Sequence, residues 1–543
     1  MREPIRMLAY IVAVLLLVAC ANVASLLLAR GRARARELAL RAAIGASRRR
    51  IVRQLLTEGL ILGAAACGAG LVLARWISSA LLPALTSADN LTVRYTLDWH
   101  VMAFTCALGA GASLLFSLLP ALRATRSSLE GLLQDGARAA ASARTRTSGA
   151  LVIAQVSLSL LLLSVAALLG WSATRLQRVD PGFDTRNLLT FSVNTSLNGY
   201  DATRARAVVA RGLEALRALP GVVNASAMSH RLVANNASIG VALPAGSPEV
   251  DPASREARQI EEKNRTWRLV VDEQFFATFR IPVLRGRAFT GTESTDGALV
   301  GVVNEKLARQ LFGSPDVVGR EFVLGLGGAK PIRIVGVVRD ARYSSLRADP
   351  PPTAYLPYQQ RPALDSTVFA VRTSGDPMAM AGVVRETIRT VDPTLPLFGL
   401  RTQEQQVQRS IAQERLFAGL ALMLGGLALM LSAIGLYALL AYTVTRRTAE
   451  IGVRMALGAR TAHVRWMVLR QSLVLVGAGL LLGLPAAFLS GRYIESLLFG
   501  LEPTQPRAVF AATTVMVAVA LAAAYVPARR ASRIDPLVAL RAE

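Results

Sequence analysis

Residues 450–459 read E-I-G-V-R-M-A-L-G-A, and residues 37–46 read E-L-A-L-R-A-A-I-G-A, 413 positions earlier. Each copy lies in an arginine-rich segment between two long apolar stretches. The closing stretches answer each other as well, P-A-L-R-A-T-R at 120–126 and P-A-R-R-A-S-R at 527–533. The same offset lays Met7–Ala29 on Leu420–Tyr442. A repeat over this distance reads as two copies of one membrane module, so function has to be sought in what the copies do together.

The apolar residues around the motif come in blocks. The chain has 543 residues, 52% of them hydrophobic, with a mean hydropathy of +0.41 and a net charge of +25. Uninterrupted apolar runs of about 20 residues match a helix crossing roughly 30 Å of hydrocarbon. Such basicity would suit nucleic acid, but much of the charge sits in short loops beside the apolar runs, which argues against that partner. Only Lys263, Lys306 and Lys330 are lysines, so the excess is almost all arginine, as genome composition bias would give. Cys20, Cys67 and Cys106 all fall inside apolar runs, leaving the large polar segment no disulfide framework. His100, His230 and His463 lie in different segments, which disfavours a histidine-rich metal site.

Seven runs qualify as spans, at about 7–29, 56–82, 101–122, 149–172, 416–444, 467–497 and 508–527. Their junctions carry lopsided charge. Segment 30–54 holds nine arginines against Glu37, segment 445–470 holds six against Glu450, segment 123–148 holds five, and the tail after Pro527 holds four. The connections 83–100 and 498–507 have one arginine each. The positive-inside rule then places the rich segments in the cytoplasm, the N-terminus and residues 173–415 outside, and the C-terminus inside. The stretch L-V-A-C at 17–20 also resembles a lipoprotein signal. Against that, the apolar run continues past Cys20 to Ala29, and lipidation there would put the nine-arginine segment outside.

The expected architecture is a membrane α-helical protein of about seven transmembrane helices with an inserted extracytoplasmic α+β domain. Residues 1–143 form a partial first module of three helices, 144–172 a fourth helix, 173–415 the extracytoplasmic domain, and 416–543 a second module of three helices. The offset sets Met1 opposite Glu414, so the first copy is expected to be truncated at its N-terminus, lacking an equivalent of residues 144–413. Strands are expected at 188–194, 334–338 and 368–372, and helices at 203–218, 304–312 and 377–391. This domain shows no Ser/His/Asp set, zinc spacing or nucleotide loop, and reads as a binding or force-transmitting domain.

The repeated motif predicts a short cytoplasmic helix. Glu37 and Glu450 stand at its start, where a carboxylate meets the helix dipole favourably. Arg41 and Arg454 follow at the i,i+4 distance of an ion pair. Gly45-Ala46 and Gly458-Ala459 then provide a break. Such a helix serves either as a self-satisfied interfacial element lying against headgroups or as a docking helix for a cytoplasmic partner. Two equivalent handles are what a two-fold partner needs.

These residues resemble the FtsX/MacB-type family of ABC transporter permeases over nearly the whole chain. The resemblance rests on E-[IL]-x-[VL]-R-x-A-[IL]-G-A in both halves, R-Q-L-L-T-E-G at 53–59 and P-A-R-R-A-S-R-I-D-P at 527–536. Within the polar segment, F-x-x-F-R-I-P-V-L-R-G-R-A-F at 276–289, V-V-N-E-K-L-A-R-Q-L-F at 302–312 and I-V-G-V-V-R-D-A-R at 334–342 look like a MacB-like periplasmic core domain. Two modules in one chain resemble the acidobacterial duplicated orphan permease type.

The resemblance implies a multi-pass protein of the bacterial inner membrane whose short cytoplasmic helices pass an ATPase's closure through the spans to the external domain. Glu37, Arg41, Gly45 and Ala46, with Glu450, Arg454, Gly458 and Ala459, would be the ATPase-coupling residues. Partners would be an ABC ATPase subunit, membrane lipid, a periplasmic adaptor or outer-membrane protein, and a permease partner or second copy. No G-x-x-x-x-G-K-[ST] loop occurs, so the chain is expected to be no enzyme, to hold no cofactor, and to leave ATP to the partner ATPase. Export is one function the family offers. The other is a non-transporting FtsX-like signalling module that regulates an extracytoplasmic partner such as a cell-wall hydrolase.

Overall fold

The computed structural model of the chain describes residues 2–33, 47–86, 99–100, 102–107, 109, 111, 136–248, 250–251, 253–293, 297–326, 329–360, 366–457, 459–493, 498–500 and 505–533. They fall into two compact units, Met1–Arg175 with Glu414–Glu543, and Leu176–Gln413. In chain order the helices are α1 (Arg2–Ala33), α2 (Arg48–Thr86), α3 (Gly136–Gln177), α4 (Ala202–Arg217), α5 (Arg255–Lys263), α6 (Phe275–Phe279) and α7 (Glu305–Phe312). They continue as α8 (Ala381–Val391), α9 (Gln403–Ser410), α10 (Ala412–Arg446), α11 (Thr448–Ala456), α12 (Thr461–Tyr493) and α13 (Pro506–Ala531).

The first unit is helical. Among the described residues, Leu56–Trp76, Gly149–Gln177, Ala412–Thr445, Thr461–Tyr493 and Pro506–Ala531 are long and apolar enough to cross a membrane. These coincide with five of the seven expected spans. Ala9–Val23 in α1 is a shorter apolar run, and the span expected at 101–122 falls largely outside the described residues.

Small side chains set how closely these helices pack. On α12 the buried positions are Val464, Val468, Ser472, Val476, Gly479, Gly483, Ala487 and Gly491, one stripe at helical spacing. On α13 they include Ala512, Met516, Ala520, Ala524 and Ala528. Stripes of this kind let backbones approach where no hydrophobic effect drives association. The approach is tight: a Cβ on Gly479 would lie 2.6 Å from Val156 Cγ1 of α3. The outward faces are apolar too, with Leu481 75% and Phe510 74% exposed, as a lipid-facing surface requires. One core cluster joins Val152, Val156 and Leu160 of α3 to Leu436 and Leu440 of α10, Ile451 of α11, and the stripes of α12 and α13.

The second unit is α+β. Its strands are β1 (Leu188–Asn194), β2 (Val222–Met228), β3 (Ser238–Pro244), β4 (Arg265–Val271), β5 (Val283–Gly286), β6 (Val300–Asn304), β7 (Glu321–Leu324), β8 (Ile332–Val338), β9 (Thr353–Pro357), β10 (Ser366–Thr373) and β11 (Leu397–Thr402). They pair in the order β11-β1-β10-β2-β4-β3-β7-β8-β6-β9, with β5 beside β8. Because β9 also pairs with β4, in parallel, the strands from β4 round to β9 close into a ring.

The open wing β11-β1-β10-β2 is antiparallel and carries α4 and α8. Val208, Val209, Leu213 and Leu216 of α4 and Val384 and Ile388 of α8 bury against Phe191 and Phe369, whose rings stack at 5.1 Å. Asp201 caps α4 by accepting from Arg204 N at 2.7 Å. Inside the ring, Leu307 and Ala308 of α7 meet Phe322, Ile334 and Val337. Gly286 of β5 has φ +69° and stands opposite Gly336 of β8. A Cβ on Gly286 would strike Val335 O, and one on Gly336 would strike Arg287 O, so both glycines of the quoted motifs are needed for the strands to meet.

Candidate functional site

Helix α11 begins two residues before Glu450 and puts that carboxylate in its first turn. The expected ion pair is present, with Arg454 Nη2 donating to Glu450 Oε1 at 2.6 Å. Arg447 Nε lies 3.9 Å from Glu450 Oε2, and Arg454 Nη1 lies 3.3 Å from Met467 Sδ on α12. The helix ends at Ala456, slightly ahead of the expected glycine break. Leu457 N then bonds Val453 O at 3.0 Å and Ala459 N bonds Arg454 O at 3.0 Å, closing the last carbonyls. Glu37, Arg41, Gly45, Ala46 and Gly458 lie outside the described residues.

The two sides of α11 differ. Ile451 and Gly452 are buried, with Ile451 only 1% exposed in the cluster that joins α3, α10, α12 and α13. Met455, one turn on, packs against the same cluster. Glu450, Val453, Arg454 and Leu457 recur at i, i+3, i+4 and i+7, so they line one stripe, and all four are exposed. Leu457 reaches 82% exposure. One side therefore anchors the helix in the bundle, while the other presents two apolar residues around an ion pair. Neighbouring contacts tie the same region together: Arg465 Nε donates to Ser532 Oγ at 3.0 Å, and Arg530 Nη1 to Tyr437 OH at 3.2 Å.

Above this helix a polar seam crosses the bundle core. Asn22 Nδ2 of α1 and Gln155 Nε2 of α3 both donate to Leu431 O of α10, at 2.6 and 2.8 Å. One turn away, Ser159 Oγ bonds Ala428 O at 3.1 Å and shares a 2.9 Å hydrogen bond with Ser432 Oγ. Ser157 Oγ reaches Gly479 O of α12 at 2.8 Å. Gly435 explains the access. In a helix the residue four places on covers a carbonyl, and at Gly435 no side chain does so. A Cβ there would lie 2.5 Å from Asn22 Oδ1 and 2.7 Å from Gln155 Oε1. The 413-residue offset makes Asn22 and Gly435 equivalent positions of the two copies. Equivalent positions of the two copies thus touch where α1 meets α10.

The seam escaped the sequence reading, although its signal was available. An asparagine and a glutamine inside apolar runs are costly unless paired, and mark sites by default. Among the described residues no group of three or more His, Cys, Asp or Glu side chains is placed to hold a metal ion.

A model of the FtsX-like permease C-terminal region matches residues 9–129 and again 422–536, and a model of the MacB-like periplasmic core domain matches residues 150–386. The pyoverdine export ATP-binding/permease protein PvdT of Pseudomonas entomophila is 29% identical over 297 residues, covering 52% of this chain and 42% of that protein. The macrolide export ATP-binding/permease protein MacB 1/2 of Paracoccus denitrificans is 28% identical over 281 residues, covering 50% of this chain and 41% of that protein. The matched chain thus spans less than half the length of these curated relatives. The crystal structure of the periplasmic region of MacB from Actinobacillus actinomycetemcomitans covers 41% of this chain and 91% of its own, with 14% identity and a TM-score of 0.27.

Proposed function

Because this chain belongs to the FtsX/MacB-like family of ABC transporter permeases, with the FtsX-like region in duplicate, we propose that it is the membrane part of an exporter driven by a separate ABC ATPase. The chain is a multi-pass inner-membrane protein. In this reading its arginine-rich segments and C-terminus face the cytoplasm, and its N-terminus and residues 173–415 face outward. ATP binds the ATPase and no cofactor binds this chain, which carries no phosphate-cradling loop.

The observation that carries the proposal is the two-sided helix α11. Closure of an ATPase against Glu450, Val453, Arg454 and Leu457 would displace a helix whose opposite side is locked into four other helices through Ile451. Protein cores are close-packed and shift between discrete arrangements rather than deform continuously. The stroke would therefore reach α3 and α10, which lead directly into the second unit of the chain. The residues at 37–46, which repeat the motif in sequence, would give the first module an equivalent handle. The names of the relatives, pyoverdine and macrolide export, favour outward movement of substrate over signalling to a cell-wall hydrolase. An adaptor or outer-membrane protein and a second permease copy are the further partners of this reading.

Co-purification from native membranes with ATP-state trapping, followed by mass spectrometry, tests it. Stoichiometric recovery of an ABC ATPase is expected. Recovery of none in any nucleotide state would overturn the proposal.

A further inference from the structure

The chain has three cysteines in 543 residues, and two of them meet. Cys67 lies on α2, and Cys106 on the next described helical stretch, residues 102–107. Their Sγ atoms stand 3.3 Å apart although 39 residues separate them in sequence. Cys20, on α1, stands outside the pair.

Small residues bring the two helices this close. Around Cys67 the sequence runs G-A-A-A-C-G-A-G at 63–70, and Cys106 opens C-A-L-G at 106–109. Gly109 lies one turn beyond Cys106, and a Cβ there would lie 4.0 Å from Cys67 Cβ. Cys106 and its i+3 neighbour thus both face Cys67, so the thiol contact belongs to a helix–helix seam rather than to a single rotamer. Sulfurs in a disulfide lie about 2.0 Å apart, so closure needs about 1.3 Å of further approach.

The depth of the pair decides what can reach it. Cys67 is 11 residues from Leu56 and 9 from Trp76, the ends of its apolar span. At 1.5 Å per residue those distances are about 16 and 14 Å, the middle of a hydrocarbon layer about 30 Å thick. Cys106 is exposed on the outside of its helix, and Phe104 beside it is 67% exposed, so the pair opens toward lipid. Glutathione and thioredoxin, which keep cytosolic thiols reduced, act from water and have no route to this depth. An electron acceptor that does reach it must be apolar and must take up two protons with two electrons, because no water stands by to receive them.

We propose that Cys67 and Cys106 are a redox-active pair that closes to an intramolecular disulfide within the bilayer, with a lipid-soluble quinone as oxidant. Both S–H bonds break and one S–S bond forms. The two electrons and two protons pass to the quinone, whose carbonyl oxygens become the hydroxyls of a hydroquinone. The bond ties α2 to the helix that follows it and fixes the two against each other.

The test uses the full chain in nanodiscs with duroquinone, an apolar quinone whose ring has no free position for thiol addition. Remaining thiols are blocked with N-ethylmaleimide on denaturation, and tryptic cleavage at Arg75 and Arg94 separates the two cysteines for mass spectrometry. A linked Cys67–Cys106 peptide, lighter by two hydrogens than its parts, is expected in the wild type and in Cys20→Ser. Its yield should fall at least tenfold in Cys67→Ser. A second arm replaces duroquinone with copper phenanthroline, a general thiol oxidant. Linkage by copper phenanthroline but not by duroquinone would refute the quinone as oxidant. No linkage in either arm, or equal yields of links to Cys20 or between chains, would refute the pairing. The wild-type peptide map alone decides these outcomes, so they do not depend on the folding of any variant.

Discussion

Asn22 and Gly435 are separated by 413 residues, occupy equivalent positions of the two repeats, and meet in the core of the membrane unit. The contact is asymmetric in chemistry. One copy contributes an amide, and the other the bare backbone that lets the amide reach Leu431 O at 2.6 Å. Two equivalent positions of the repeat thus play complementary parts in one polar joint. In the bilayer such a joint holds helices in register, since a freed amide has no water to turn to.

Gly435→Ala should therefore be disruptive beyond what one methyl group suggests. Its Cβ would fall 2.5 Å from Asn22 Oδ1 and 2.7 Å from Gln155 Oε1. Overpacking of this sort costs about 1–3 kcal/mol. Shortening the clashing amide, in Asn22→Ala with Gly435→Ala, should recover part of the loss. A double-mutant cycle on unfolding midpoints reads the coupling, and strict additivity would show that the two positions do not touch.

The two sides of α11 should separate stability from coupling. Ile451→Ala removes a buried side chain of the shared core and should cost about 2–5 kcal/mol. Leu457→Glu alters a residue that is 82% exposed and should leave the unfolding midpoint nearly unchanged while reducing ATPase stimulation at least tenfold. Comparison of midpoint and ATPase rate for both variants checks the separation. Normal stimulation in a well-folded Leu457→Glu protein would remove the exposed stripe from the mechanism.

The ion pair on the same helix should matter to partner recognition more than to folding. Both members are about half exposed, at 46% and 52% for Glu450 and Arg454, and an exposed i,i+4 pair is worth only about 0.3–0.5 kcal/mol. Arg454→Glu should lower ATPase association strongly while leaving membrane insertion intact. The exchange Glu450→Arg with Arg454→Glu should restore the helix without restoring association. Full recovery by the exchange would assign the pair a purely structural role.

Asp272 supplies a pH signature in the second unit. Its Oδ2 accepts from Arg217 Nη2 at 2.6 Å, Glu273 stands beside it, and its Oδ1 is buried without a partner. Burial first, then the Glu273 charge, push the carboxyl up from 3.8 to about 8 against the pull of Arg217. The folded state thus binds this proton more tightly than the unfolded chain does. The associated stability is fully present below about pH 4 and is lost as pH rises through about 8. Asp272→Asn should flatten that part of the profile, seen as a smaller drop in unfolding temperature between pH 5 and pH 9. An unchanged drop would show that Asp272 ionises normally.

Much of the membrane unit was legible because its physics is one-dimensional. An apolar run long enough for hydrocarbon announces a span wherever it occurs, and the Glu450–Arg454 spacing announces its own bond. Helices α4 and α8 showed their apolar periodicity in the same way. Other features depend on partners far along the chain. Strand β2 is built from small residues, V-V-N-A-S-A-M, and β5 is exposed throughout, so neither shows alternation. The β4–β9 pairing that closes the ring is parallel and joins Trp267–Val271 to Thr353–Pro357, with no local signal at either end. Gln155 could be marked as costly in its run, but its partner Leu431 lies 276 residues away. The exposure of Leu457 was hidden for the opposite reason: an apolar residue at helical spacing reads as core until the surrounding helices are in place.

A photo-crosslinking amino acid at position 457, compared in living cells with the same residue at half-buried position 455, tests the coupling role of α11 most directly. An ATP-state-dependent adduct to an ABC ATPase from position 457, weaker from 455, is the predicted result. Adducts from 457 to lipid alone, or to a protein outside the cytoplasm, would contradict it.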